Sequence, residues 1–192
     1  MARVSTLEPL PAEVRRARVR DVAGIQALVD TYVPDRRLLS KAPVTLYEDV
    51  QEFFVAVDGE RVVGCGALHV LWEDLAEVRT LAVAPHVHGR GIGAGLLARL
   101  MEQAGELGVS RLFCLTFETG FFARHGFVPL DEVLLAPEVQ AELLRSADEG
   151  VAEFLELERV KPNTLGNTRM LALLPGMLLP GNIARPPSAV TG

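Results

Sequence analysis

Cysteine is almost missing from this 192-residue chain: Cys65 and Cys114 are the only two, and both sit inside apolar runs, "VVGCGALHV" and "RLFCLTF". That scarcity excludes a disulfide-stapled scaffold, and the pair reads as buried thiols in a reducing compartment. Histidine is equally thin. His69, His86, His88 and His125 are scattered, with no His-Glu-x-x-His pair and no His/Cys cluster, so no metal site is expected. A basic excess is lacking as well: 19 Lys and Arg stand against 25 Asp and Glu, a formal net charge of -6. No basic excess is then available to neutralise a phosphate backbone, which argues against a nucleic-acid partner. No apolar run reaches membrane-spanning length, and the start, "MARVSTLEPLPAEVRRAR", lacks the apolar stretch of a signal peptide. The expectation is a cytoplasmic protein with no membrane partner, in which any anionic ligand must meet a local cluster of Lys and Arg.

Apolar residues make up 49% of the chain, enough for one substantial core, while the length is short for two ordinary domains. One domain is expected over residues 14–174, preceded by an extension (1–13) and followed by a Pro/Gly-rich tail (175–192). Val14 to Val19 reads as a strand, after which Asp21 is placed to cap a helix whose apolar face is Val22, Ile25, Leu28 and Val29. Thr45 and Glu48 have capping-box spacing. "FFVAVDGERVVGCGALHV" is two β-rich runs around Asp58-Gly59, a strong hairpin signal. "AEVRTLAV" is a further strand, and the run after Pro85 opens a long helix with Ile92, Leu96, Leu97, Leu100, Met101, Ala104 and Leu107 on its buried side. "RLFCLTF" and "TRMLALL" read as strands, "TGFFARHGF" as a short helix stopping at Gly126, and "PEVQAELLRSA" as a helix with a Pro start. Gly150 to Val160 suits helix and strand about equally.

The glycines of "HVHGRGIGAGLL" are the sharpest signal. Gly89, Gly91, Gly93 and Gly95 fall at alternate positions where a helix begins, and each weakens that helix by roughly 0.5 to 1 kcal/mol relative to alanine. Strand, then Gly-rich turn, then helix sets several backbone N-H groups at a helix N-terminus with no side chains in the way, which is a phosphate cradle. A Walker A loop would continue Lys-Ser/Thr, where Ala94 and Gly95 stand. A dinucleotide fingerprint fails because Leu96 takes the place of its third glycine. A Gly-rich turn for tight strand-helix packing is the plainer alternative.

"LAVAPHVHGRGIGAGLL" resembles the acyl-CoA cradle of the GNAT N-acetyltransferases, with His88 where that family usually has Arg or Gln. "EVRTLAV" and "FFARHGF" are similar to further family stretches. Over residues 14–174 the chain resembles the short actinobacterial form of glutamate N-acetyltransferase, the N-acetylglutamate synthase that opens arginine biosynthesis. "VTLYEDVQEF", "VVGCGALHVLWEDLAEVRT", "LTFETGFFARHGF" and "VAEFLELERVKPNTLGNTRM" carry the likeness, "KPNTLGNTRM" most specifically. The resemblance implies an α/β layered fold: a central mixed, mostly antiparallel twisted sheet flanked by helices. It also implies acetyl-CoA as co-substrate, held by Leu81, Ala82 and Val83 on the strand, by His88, Gly89, Arg90, Gly91, Ile92, Gly93 and Ala94 in the cradle, and by Phe122. A small amino acid is implied as acceptor.

Acetyl transfer to an amino acid needs a neutral amine, and hence a base. The resemblance assigns that role to Glu77, whose alternative is a surface or loop-pairing carboxylate. Relatives often protonate the departing thiolate with a tyrosine in the position of Phe122, and this chain has none there. His125 could act on protons or simply be exposed. Two glutamate carboxylates call for cations and amides. Arg79 shares a strand face with Glu77, so it could be a fork donor beside the base or one half of an ion pair. Lys41 matches a basic position in the acceptor loop. Lys161, Asn163, Asn167 and Arg169 stand in a bent loop that could bind substrate or be plain turn chemistry. Glu118 and Thr119 border the expected acceptor pocket. A different amine acceptor, or a non-catalytic acyl-CoA-sensing module, would keep the same fold. A homodimer is left open.

Overall fold

The computed structural model describes residues 12–130, 135–146 and 167–174. Along the chain run β1 (Glu13–Arg16), α1 (Val22–Asp30), α2 (Pro43–Glu48), β2 (Phe53–Asp58), β3 (Arg61–Trp72), β4 (Leu75–Val83), α3 (Ile92–Glu106), β5 (Arg111–Thr116), α4 (Thr119–Ala123), β6 (Val128–Pro129), α5 (Pro137–Leu143) and β7 (Thr168–Leu173). They build one seven-stranded sheet in the order β1-β2-β3-β4-β5-β7-β6. Every neighbouring pair is antiparallel except β4 and β5. The mixed, mostly antiparallel sheet with flanking helices is thus as expected.

The apolar periodicities explain the packing. Val22, Ile25, Leu28 and Val29 form the buried stripe of α1, and Ile92, Leu96, Leu97, Leu100 and Ala104 that of α3; both helices lie against β3. Close approach of α3 depends on missing side chains in the strand beneath it. A Cβ on Gly64 would stand 2.9 Å from both Ile92 Cγ2 and Leu96 Cδ1, too near for either to keep its place. A second apolar cluster of Leu71, Leu75, Phe113 and Leu143 lies where α5 packs.

One buried ion pair sets the geometry of the sheet's centre. Asp74, in the turn between β3 and β4, is 6% exposed and Arg111, which opens β5, 7%. The Arg111 guanidinium places Nε 2.9 Å from Asp74 Oδ2 and donates from NH2 to Oδ1 at 2.9 Å. The N-H groups of Ser110 and Arg111 also donate to the Asp74 carbonyl, at 3.1 and 2.9 Å. Four contacts therefore pin the start of the parallel β4–β5 pair.

Several local expectations need correction. β1 ends at Arg16, and Val19–Asp21 is a 3-10 turn rather than strand. The Asp21 carboxylate does not cap α1: it accepts from both Arg15 NH groups, at 2.7 and 3.0 Å, and from the Arg18 N-H at 2.7 Å. The bidentate guanidinium and the Arg18 amide together turn the carboxylate back toward β1, away from the first amides of α1. Thr45 and Glu48 lie inside α2, which starts at Pro43 with Ala42 as its N-cap, so they form no capping box. Leu107 is 54% exposed because the helix has ended before it. The short edge strand β6 went unforeseen. Gly150 to Val160, residues 1–11 and the tail from 175 lie outside the described residues.

Candidate active site

Pairing between β4 and β5 covers only Leu75–Glu77 against Arg111–Phe113. Beyond Glu77 the two strands part, β4 running on to Val83 and β5 to Thr116, and the wedge between them opens a cavity of about 1050 Å³. A bulge sharpens the opening. Opposite Cys65 and Ala67 of β3 stand Ala82 and Arg79, so β4 carries one residue more than its partner. Thr80 takes up the extra residue at φ +57°, an unfavourable conformation for a β-branched side chain, and its carbonyl receives the Cys65 thiol at 3.5 Å.

One end of the cavity is made for an anion. Gly89 (φ +76°) and Gly91 (φ +79°) turn the chain through left-handed conformations into α3, with Gly91 as N-cap, and a Cβ on Gly91 would meet no protein atom within 4 Å. Glycine is needed there for its dihedral angles rather than for space. His88, Gly89, Gly91, Ile92, Gly93 and Ala94 all line this end. Tyr32, just beyond α1, reaches over to it: its hydroxyl meets the Val83 carbonyl and stands 2.9 Å from His88 Nε2, which is itself 2.8 Å from Val83 O. Burial raises the Tyr32 phenol above its ordinary range, so it stays a neutral donor.

A buried carboxylate also lines the cavity. Glu77 is 4% exposed and lines the cavity on β4. Arg79 shares its face, with NH1 4.0 Å from Glu77 Oε2 and NH2 donating to Glu52 Oε2 at 3.2 Å; Glu52 Oε1 in turn meets His69 Nδ1 at 2.7 Å. Burial pushes the Glu52 carboxyl up, but His69 and Arg79 together outweigh it and hold the group below its ordinary range. Arg36, Arg37, Lys41, Arg79 and Arg124 line the cavity against Asp49, Glu77 and Glu118, a local cationic excess on a chain of net charge -6. Arg37 forms an ion pair with Glu118, its guanidinium 5.8 Å from the centre of the Tyr32 ring. Asn167 adds an amide whose buried Oδ1 accepts no hydrogen bond from the described residues. Neither thiol lines the cavity, and both are buried. Burial pushes Cys65 up to about 12 and raises Cys114 too, the latter with help from the Glu77 charge. Transfer between two bound substrates, without an acyl-enzyme, fits these groups.

Residues 25–127 match the acetyltransferase (GNAT) family. The chain belongs to the GNAT acetyltransferases. It is 56% identical over 164 residues to an amino-acid acetyltransferase of Mycobacterium tuberculosis, covering 84% of this chain and 94% of that one. The crystal structure of M. tuberculosis Rv2747, solved in complex with CoA and a second ligand, is similar at a TM-score of 0.81 and 56% identity, over 84% of this chain and 99% of that chain. An amino-acid acetyltransferase of Neisseria meningitidis is 34% identical over 69% of this chain, which spans only 31% of that longer protein. N-acetylglutamate synthase of Neisseria gonorrhoeae shares the fold at a TM-score of 0.68 and 24% identity, over 87% of this chain and 36% of its own.

Within this GNAT cavity the structure brings together Lys41, Glu77, Arg79, Leu81, Ala82, Val83, His88, Gly89, Gly91, Ile92, Gly93, Ala94, Glu118, Phe122 and Asn167. Arg90 does not line it; only its place in the loop fits the cradle. Thr119 and Arg169 do not line it either. Thr119 opens α4, and Arg169 sits in β7 opposite Leu115. Phe122 is 5% exposed and packs edge-on against Phe127, so Phe121, within 3.5 Å of where a Gly93 Cβ would stand, carries more of the wall. His125 lines the cavity with Nδ1 2.8 Å from the Phe121 carbonyl, so it is not simply exposed. Lys161 and Asn163 lie outside the described residues. Tyr32, Arg37 and Glu52 were missed. The adjacent Arg36 and Arg37 in "VPDRRLLSK" were the available signal for the second; nothing local marked the other two.

Proposed function

We propose that the protein transfers the acetyl group of acetyl-CoA to the α-amine of L-glutamate, giving N-acetyl-L-glutamate, the first step of arginine biosynthesis. One observation carries the reading: a single cavity joins a glycine-lined helix N-terminus to a buried carboxylate beside Arg79, with Arg36, Arg37, Lys41 and Arg124 also among its lining residues. The likeness to amino-acid acetyltransferases supports an amino acid as acceptor, and the cationic excess supports an acidic one. Glu77 takes a proton from the ammonium, directly or through water. The freed lone pair bonds to the thioester carbon, backbone N-H groups near Leu81 to Val83 steady the developing oxyanion, and the C-S bond breaks toward sulfur as the nitrogen gives its second proton to solvent, leaving a neutral amide. With Phe122 in place of a phenol, the group leaves as thiolate, tolerable for a thiol with pKa about 8.5. Arg37, Lys41 and Arg79 bind the carboxylates, Glu118 holding Arg37 until substrate replaces it. The two buried free thiols support a cytoplasmic setting; among the described residues no helix is long and apolar enough to cross a membrane.

The deciding assay is thiol release from acetyl-CoA with each of the twenty amino acids, in which glutamate should give the highest kcat/KM. A higher value for a neutral or basic amino acid would overturn the acceptor assignment. Arg79→Lys should raise KM for glutamate by about one to two decades while leaving that for acetyl-CoA near its original value. Lysine keeps the charge and loses the planar fork, removing a charge-assisted hydrogen bond of roughly 1.5 to 3 kcal/mol. Equal weakening of both substrates would show that Arg79 only props the strand through Glu52.

A further inference from the structure

We infer that Glu52 is a positioning residue for the acceptor: from behind the cavity wall it aims the Arg79 guanidinium at a substrate carboxylate, although it carries the same charge as that carboxylate. The inference rests on the reading of Arg79 as a carboxylate anchor and assigns that anchor its orienting partner. Arg79 lines the cavity, whereas Glu52 and His69 are not among its lining residues. Glu52 ends the 3-10 turn Val50–Glu52 that leads into β2, so β3 lies between it and Arg79 on β4. Ala67 of β3 pairs with Arg79 on one side and, on the other, with Phe53, the residue after Glu52. A methyl side chain there leaves the guanidinium room to cross β3 and donate from NH2 to Glu52 Oε2 at 3.2 Å.

The orienting carboxylate is itself fixed. An ionised carboxylate offers only lone pairs, so His69 Nδ1, 2.7 Å from Glu52 Oε1, donates to the second oxygen. Donors from β3 and β4 thus hold Glu52 at both oxygens, and Glu52 in return holds one nitrogen of Arg79. An arginine side chain has many rotamers to lose when it binds a ligand, and a tether that selects one of them beforehand lowers that loss. Charge alone argues the other way. The Glu52 carboxylate repels an acidic acceptor and offsets the Arg79 cation, with the two side chains only 26% and 12% exposed. What the pair offers is therefore a set of aimed N-H groups rather than a net positive field. The two effects differ in sign: loss of orientation weakens acceptor binding when Glu52 is removed, and loss of repulsion strengthens it.

Steady-state kinetics of Glu52→Ala, Arg79→Met and the double variant, with glutamate and acetyl-CoA varied in turn, test this. Glu52→Ala should raise KM for glutamate about five- to tenfold and leave that for acetyl-CoA near its original value. In the Arg79→Met background the same change should alter KM for glutamate by less than about twofold, because the group that Glu52 orients is gone. Glu52→Gln keeps the shape and one acceptor oxygen; it should give a smaller rise of the same sign, about two- to threefold, and takes the place of the alanine variant in the cycle if that variant does not fold. A fall in KM for glutamate would show that repulsion outweighs orientation and would overturn the inference. Equal rises with and without Arg79, or equal weakening of acetyl-CoA, would also overturn it, marking Glu52 as a support of the turn before β2. If Arg79→Met leaves KM for glutamate unchanged, the reading of Arg79 as an anchor fails, and this inference with it.

Discussion

Glu77→Gln should lower kcat by about 10² to 10⁴ at pH 7 and by much less at pH 9, measured with saturating acetyl-CoA and glutamate. Glutamine keeps the shape of the side chain and loses its capacity to accept a proton. At pH 7 the amino group of a free amino acid is an ammonium, and without a base beside it few encounters present a lone pair to the thioester. At pH 9 the solvent already supplies neutral amine, so the residue matters less. Position supports the role: Glu77 sits on the face of β4 at the point where β5 leaves it, 4% exposed and facing the cavity. Arg79, with NH1 4.0 Å from Oε2, also needs Glu77 for its placement, so a purely structural carboxylate is a real alternative. That alternative predicts equal loss at both pH values, and a parallel pH profile would decide for it.

Arg111→Ala should destabilise the fold by about 3 to 5 kcal/mol in denaturant unfolding, because it strands the buried Asp74 carboxylate. Replacing both partners, as Asp74→Leu with Arg111→Met, should recover much of the loss, since no uncompensated charge is then left inside. The pair also fastens the closed end of the wedge, where Leu75 stands opposite Arg111. The double variant should thus regain stability while acetyl transfer stays impaired. Full recovery of both would mean that the apolar cluster of Leu71, Leu75, Phe113 and Leu143 aligns the strands unaided.

The amino-acid sequence alone determined whatever depends on neighbours a few positions away. The β2–β3 hairpin at Asp58-Gly59, the buried stripes of α1 and α3, the glycines at the start of α3 and the shared face of Glu77 and Arg79 all follow from local dihedral preference and from periods of 2 and 3.6 residues. The same local logic failed at Asp21 and Thr45, where a spacing that suits a helix cap met a stronger partner or an earlier helix start. Only the tertiary structure decided the parting of β4 from β5, the bulge at Thr80 and the partners of the site: Tyr32 with Val83 across 51 positions, Arg79 with Glu52 across 27, and Arg37 with Glu118 across 81. Periodicity tells a side chain which face of its own element it occupies. Which elements then meet is set by strand register and by the packing of α1 and α3 on one sheet, and those depend on the whole core at once.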